Sequence, residues 1–213
     1  PAPGSSSSPE VTFGVQSFLQ YAADLHEKDN FNAFDVTRGY FIVNAKFSDR
    51  LRARFTTDIK PTTDASLNSN LAVRLEYAYL QAGLTDRTSV TFGMQQTPWL
   101  AFEESINRYR AQGTFFAERT GLIPGPADLG ASLMATNGGT EVQVGVYNGE
   151  GYGRAERDKY KSLQGRATFR PYYDDTEHVG VRLSGFYSYG WYAKDRPRNV
   201  AIVMGSYESP KDR

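Results

Sequence analysis

Ionisable side chains crowd into one long stretch of this chain. From Thr97 to Gly130 (TPWLAFEESINRYRAQGTFFAERTGLIPGPADLG), Glu103, Glu104, Arg108, Arg110, Glu118 and Arg119 alternate with Trp99, Phe102, Tyr109, Phe115 and Phe116. Acids and bases this close can pair with one another, hold a charged solute or set up a field across a gap. Arg108 and Arg110 could bind an anion; at helical spacing they could equally pair with Glu103 and Glu104. Those two acids are adjacent, and adjacent helical residues point apart, so they do not form the facing carboxylate pair that acid–base hydrolysis needs. The aromatics need cover and the charges need water. A stretch folded into a wet cavity satisfies both, and connections of this length usually have a function.

Other chemistries find little support. The two histidines, His26 and His178, have no ligand-spaced partner, so no metal site is expected. The chain has no cysteine, which removes disulfides and thiolate ligands. Gly149-Glu-Gly-Tyr-Gly153 is glycine-rich, but no helix opens after it as a phosphate-cradling loop requires; Asn148-Gly149 reads as turn chemistry. No Gly-x-Ser-x-Gly element is present. With 24 basic and 24 acidic residues the formal net charge is zero, which gives no footprint for nucleic acid. Neither a catalytic residue nor a cofactor is expected.

The elements that must position the charged stretch are strands. Hydrophobicity alternates with period two along Val11 to about Tyr21, Gly39 to Phe47, Leu51 to Ile59, Leu71 to Leu84, Thr88 to Gln96, Asp128 to Thr136, Glu141 to Tyr147, Leu163 to Arg170, Val179 to Trp191 and Asn199 to Tyr207. In the fourth, Val73, Leu75, Tyr77 and Tyr79 oppose Arg74 and Glu76, and a bulge would explain the drift of its second half. Short turns at Ser48-Asp49, Thr85 to Arg87 and Asn137 to Gly139 alternate with longer connections near 61–70, 99–126 and 148–161. Helical composition is confined to Phe102 to Arg110, with a turn at Ala22 to Asn30.

Mean hydropathy is only −0.53, yet the chain carries 14 Tyr and 13 Phe. No apolar run is long enough for a membrane helix. A transmembrane barrel reconciles these facts, because its strands turn apolar residues to lipid and polar ones to water. The polar rows hold Arg38, Lys46, Arg52, Arg54, Arg74, Arg166, Arg170 and Arg182, with fewer acids at Asp58, Glu76 and Glu141. An Arg on a lipid face costs roughly 2–4 kcal/mol at the midplane, so these side chains must face water or protein. The expected fold is an all-β antiparallel transmembrane barrel spanning 11–213, after a flexible leader at 1–10, with 97–127 folded inward as a constriction.

The ordered runs GMQQTPW, FEES, FFAERTG, ADLGASL and VGVYNGEGY resemble the bacterial phosphate-selective porin family of the O and P type. The matching positions are Gly93 and Pro98, Glu118 and Arg119, Leu129 and Gly130, and Tyr147 to Gly149. The resemblance implies an outer-membrane barrel of roughly sixteen strands, of which this chain would supply about ten. It also implies a homotrimer in contact with lipid bilayer and lipopolysaccharide, passing small anionic or neutral solutes. Glu103, Glu104, Arg108, Arg110, Glu118 and Arg119 would form the constriction. Arg38, Lys46, Arg52, Arg54, Arg74, Glu76, Arg166, Arg170 and Arg182 would line the wall. Since the constriction carries acids as well as bases, a general porin stands beside a phosphate-selective one. The alternatives are a non-conducting structural or adhesin-type barrel and a soluble β-sandwich. The last residues, Ser209 to Arg213, lack the terminal aromatic of such barrels, which points to a chain missing its final strands or to a complete ten-strand barrel.

Overall fold

The period-two segments become strands in one continuous hydrogen-bonded sheet. The computed structural model describes residues 8–24, 31–67, 70–107, 110, 113–156, 158–174, 176, 178–193 and 196–209. Residues 1–7 of the expected leader lie outside these. The ten strands are β1 (Glu10–Ala23), β2 (Asn32–Lys46), β3 (Leu51–Pro61), β4 (Leu71–Gly83), β5 (Thr88–Gln96), β6 (Ala127–Asn137), β7 (Thr140–Tyr147), β8 (Ser162–Asp174), β9 (Val179–Ala193) and β10 (Arg196–Glu208). Each pairs antiparallel with the next, so sheet order equals chain order. β1 and β10 are the two edges and do not pair with each other, which leaves the sheet open.

The two faces of this sheet invert the rule of a water-soluble protein. Phe92 is 70% exposed and Val203 88%, in company with Phe13, Val15, Val144, Leu163 and Leu183. On the opposite face Thr56, Asp58, Gln143, Gln164, Arg166, Thr168 and Ser184 are buried, Asp58 completely. Among the described residues no second layer covers the apolar rows. A β-sandwich would bury exactly those rows between its sheets, so the sandwich expectation is set aside. The alternation is sharpest in β7 and β8, where exposed Val142, Val144, Val146 and Leu163 interleave with buried Gln143, Gly145, Tyr147 and Gln164.

Four register shifts interrupt the period, the last of them between Arg196 and Pro197 where β10 begins. Between Phe18 and Leu19 the partner jumps from Arg38 to Val36, leaving Thr37 over; its hydroxyl donates to the Phe18 carbonyl at 3.2 Å. Between Thr56 and Thr57 the partner jumps from Tyr77 to Leu75, leaving Glu76 over. This bulge corrects one sequence expectation. Tyr77 and Tyr79 do not continue the apolar row of Val73 and Leu75; they share the polar face with Glu76, and Tyr77 is buried there. The third shift, between Phe169 and Tyr172, accommodates Pro171, which cannot donate to a ladder.

Gly93 lies opposite Tyr79 and Gly130, with φ of 124°. A Cβ there would sit 2.4 Å from the Ala78 carbonyl oxygen. We expect Gly93→Ala to cost at least about 1–3 kcal/mol from the backbone conformation alone. Gly185→Ala, where an added Cβ meets nothing within 4 Å, should be close to neutral. Equilibrium urea unfolding of both variants in lipid vesicles checks the contrast.

Candidate functional site

The β5–β6 connection leaves the sheet through a closed neck. The Thr97 amide donates to the Pro126 carbonyl at 2.9 Å, and its hydroxyl lies 3.2 Å from the Gly125 and Pro126 carbonyls. Two short helices follow, α1 (Leu100–Ile106) and α2 (Phe116–Arg119). The expected helix at Phe102 to Arg110 thus begins earlier and stops where Asn107 turns extended. α2 was not anticipated.

The connection lies on the polar face of the sheet. Trp99, Leu100, Phe115, Ala117 and Ile123 form one buried cluster with Phe186 of β9 and Val200 of β10. Phe102, Leu122, Ile202 and Met204 pack around it. Trp99 stands 5.7 Å from Phe186 and 5.9 Å from Phe102 between ring centres. Burying a large apolar side chain contributes about 1.5–3 kcal/mol, so this cluster seats the loop. The sequence signal for it was Phe186 interrupting a row of Ser184 and Ser188, and Val200, Ile202 and Met204 standing in phase on the otherwise polar side of β10.

Arg166 ties the loop's root to β8. Its Nε donates to the Pro98 carbonyl at 2.8 Å and its Nη1 to the Thr168 hydroxyl at 2.6 Å. Its Nη2 pairs with Glu141, and the guanidinium lies 4.0 Å from the Phe102 ring centre. Arg170 and Arg182 share Glu208, at 2.7 and 2.5 Å. Arg170 also stacks 3.9 Å from Tyr173. These three expected wall residues therefore stand together, each with a carboxylate partner that the sequence reading named only for Glu141.

A second group forms on β2 to β4. Arg38 pairs with buried Asp58 at 3.4 Å. Arg54 donates to Thr56 at 3.0 Å and stacks 4.7 Å over Tyr77. Arg74 lies 5.7 Å from the ring of Tyr152, and Glu76 is buried nearby. Arg38 also feels the charge of Glu118 on the loop, so the loop reaches toward this group as well. Lys46 pairs with Asp49 at 2.7 Å beside the short turn, directly across from exposed Arg52. Lys46, Arg52, Arg54 and the acidic Glu10, with Tyr79 and Gln81, line a concavity of about 360 Å³.

Within the loop, Arg110 bridges Glu104 at 3.3 Å and Glu118 at 3.5 Å and packs 5.3 Å from Phe115. Pairing, rather than free display, is thus the state of Arg110. Glu103 points elsewhere and accepts from the Trp99 indole at 3.0 Å. Burial holds its carboxyl above the ordinary 4.5, with the indole hydrogen bond opposing and Glu118 adding a smaller upward push. Arg119 is exposed. Arg108 and His26 lie outside the described residues. His178 sits in the β8–β9 turn at φ 53°, and among the described residues no group of three acids or histidines could hold a metal.

A family model described as phosphate-selective porin O and P matches residues 10–187, and the chain belongs to that family. It is a family of channels, not of enzymes. No curated protein matches the chain.

Removing the Arg166 guanidinium should loosen the loop. Arg166→Met is expected to weaken its seating by about 1.5–3 kcal/mol, the worth of a hydrogen bond to a charged group. In a variant keeping Trp99 as sole tryptophan, iodide quenching should rise. Glu103 gives a pH test. A carboxyl raised on folding contributes stability at low pH that is lost as pH climbs from 4.5 through the folded value. Unfolding should therefore show a fall in stability across that interval, absent in Glu103→Gln.

Proposed function

We propose that this member of the phosphate-selective porin O and P family is an outer-membrane porin that passes small solutes by diffusion with a preference for anions. The observation that carries the reading is the inverted sheet: apolar rows are exposed, charged rows are buried, and the 97–126 loop is seated on the charged side. Lipid would cover the apolar rows and water the charged ones. The unpaired edges of β1 and β10 would close with further strands into a barrel of about sixteen, since an open sheet edge is not tolerated in hydrocarbon. On this reading the subunits associate as trimers, and the long-connection rim meets lipopolysaccharide.

The loop is the constriction. Glu103, Glu104, Glu118 and the Arg108–Arg110–Arg119 set shape its field. Arg38, Arg74, Glu76, Arg166 and Arg182 form the wall beside it, and Arg170 the wall next to the β6–β7 turn, where its amide donates to the Gly139 carbonyl. Lys46, Arg52 and Arg54 form the wall toward the short-turn rim. Anion preference rests on a difference in pairing. Arg38, Arg110, Arg166, Arg170 and Arg182 are matched by carboxylates. Arg52, Arg54 and Arg74 form no ion pair among the described residues. Rings of unmatched base favour anions.

Planar-bilayer recordings under a salt gradient test this. We expect Arg52→Gln with Arg54→Gln to lower anion over cation permeability, and Arg119→Gln to do so in the loop. Unchanged reversal potentials would remove the anion preference. Absence of any channel conductance would favour the non-conducting barrel instead.

A further inference from the structure

The glycine-rich run Gly149-Glu-Gly-Tyr-Gly153, in the β7–β8 connection, makes no ion pair among the described residues, yet it joins the returning end of the 97–126 loop to the group on β2 to β4. Its start is fastened to β6: the Asn148 amide donates to the Leu129 carbonyl at 2.9 Å and the Gly149 amide to Asp128 Oδ2 at 2.6 Å. The Tyr152 amide then donates to the Ala127 carbonyl at 2.9 Å. Gly151, at φ 77°, lies so near Pro124 that an added Cβ would approach it to 3.3 Å. A Cβ on Gly125 would come within 3.4 Å of the Tyr152 ring. The run therefore buttresses the returning end of the 97–126 loop.

From this buttress the Tyr152 hydroxyl crosses to β3 and donates to Asp58 Oδ2 at 2.8 Å, over a sequence separation of 94. Asp58 is wholly buried and its other oxygen faces Arg38. A buried carboxylate oxygen stripped of its donor loses far more than the mean worth of a hydrogen bond. The loop thus has two supports. One is the apolar seat of Trp99 on Phe186 and Val200; the other is the phenol of Tyr152 on Asp58.

We propose that Tyr152 and Asp58 form a latch through which the β7–β8 connection holds the constriction loop in its narrow position. Tyr152 is a positioning residue: it sets the aperture through Gly125 and Pro124. The proposal rests on the reading of 97–126 as the constriction.

The test is single-channel recording of the full chain in planar bilayers, with Tyr152→Phe, Asp58→Leu and the double variant. Tyr152→Phe keeps the ring against Gly125 and loses only the hydroxyl. The expected result is a flicker to a larger conductance, its occupancy raised about tenfold by loss of one hydrogen bond to a charged group. Asp58→Leu should show the same flicker, and the double variant should add little to either. Current traces of Tyr152→Phe indistinguishable from the parent, or effects that simply sum in the double variant, would overturn the latch. Removal of residues 102–118 separates the two readings. A larger conductance on removal with a silent Tyr152→Phe sinks the latch alone. An unchanged conductance on removal sinks the constriction and the latch together.

Discussion

A β-strand can turn each residue to only one of two sides, and in this sheet the two sides require opposite chemistry. Leu163 is 55% exposed while Arg166, three residues on, is 3% exposed. A slip of one residue in β8 would turn Arg166 and Arg170 outward together. On a lipid face each would cost roughly 2–4 kcal/mol near the midplane. Register is accordingly pinned along every strand, because one face of the sheet cannot accept what the other requires. The bulges at Thr37, Glu76 and Arg170-Pro171 are places where this rule is locally suspended, and each adjusts the polar face.

The bulge at Glu76 shows the consequence. It moves Tyr77 and Tyr79 to the polar side, where Tyr77 gives Arg54 a ring to stack on and Glu76 joins Asp58 beside Arg38. Without the extra residue those tyrosines would face outward and the wall opposite the loop would lack its aromatic lining. At the other end of the sheet, β9 and β10 break the polar row with Phe186 and Val200, and the loop's Trp99 fills that break. The loop is therefore held where the sheet departs from strict alternation.

Much of this was legible in the chain and some of it was not. The strands were, because period-two alternation is a local property and survives unbroken in β3 and β7. The resemblance carried by GMQQTPW, FFAERTG and VGVYNGEGY was also legible, and it agrees with the family match over residues 10–187. The bulge was suspected from the drift in β4, but its effect on Tyr77 and Tyr79 was not, since the tyrosines fit either face. The bond from Tyr152 to Asp58 left no trace in the sequence. Its partners are brought together by the path of two loops, and neither spacing nor composition encodes that path. For Arg110 the residues left two roles open, anion binding and pairing with Glu103 and Glu104; in the structure its guanidinium lies within ion-pair distance of Glu104 and Glu118.

The division of the arginines follows from the same geometry. Where the loop meets the sheet, water is partly excluded, and an unmatched guanidinium would bear a desolvation cost there. Arg166 accordingly comes with Glu141 and Arg38 with Asp58, whereas Arg74 stands beside the Tyr152 ring without an ion pair among the described residues. Toward the short turns Arg170 and Arg182 share Glu208 and Lys46 pairs with Asp49, while Arg52 stands exposed without an ion pair among the described residues. Charges in water act over a screening length of about 8 Å at physiological salt. The unpaired charge toward the short turns is then that of Arg52 and Arg54, next to Glu10 and the Lys46–Asp49 pair. On the porin reading, the loop and its two supports would set the width of the pore, and the unpaired Arg52 and Arg54 would favour anions.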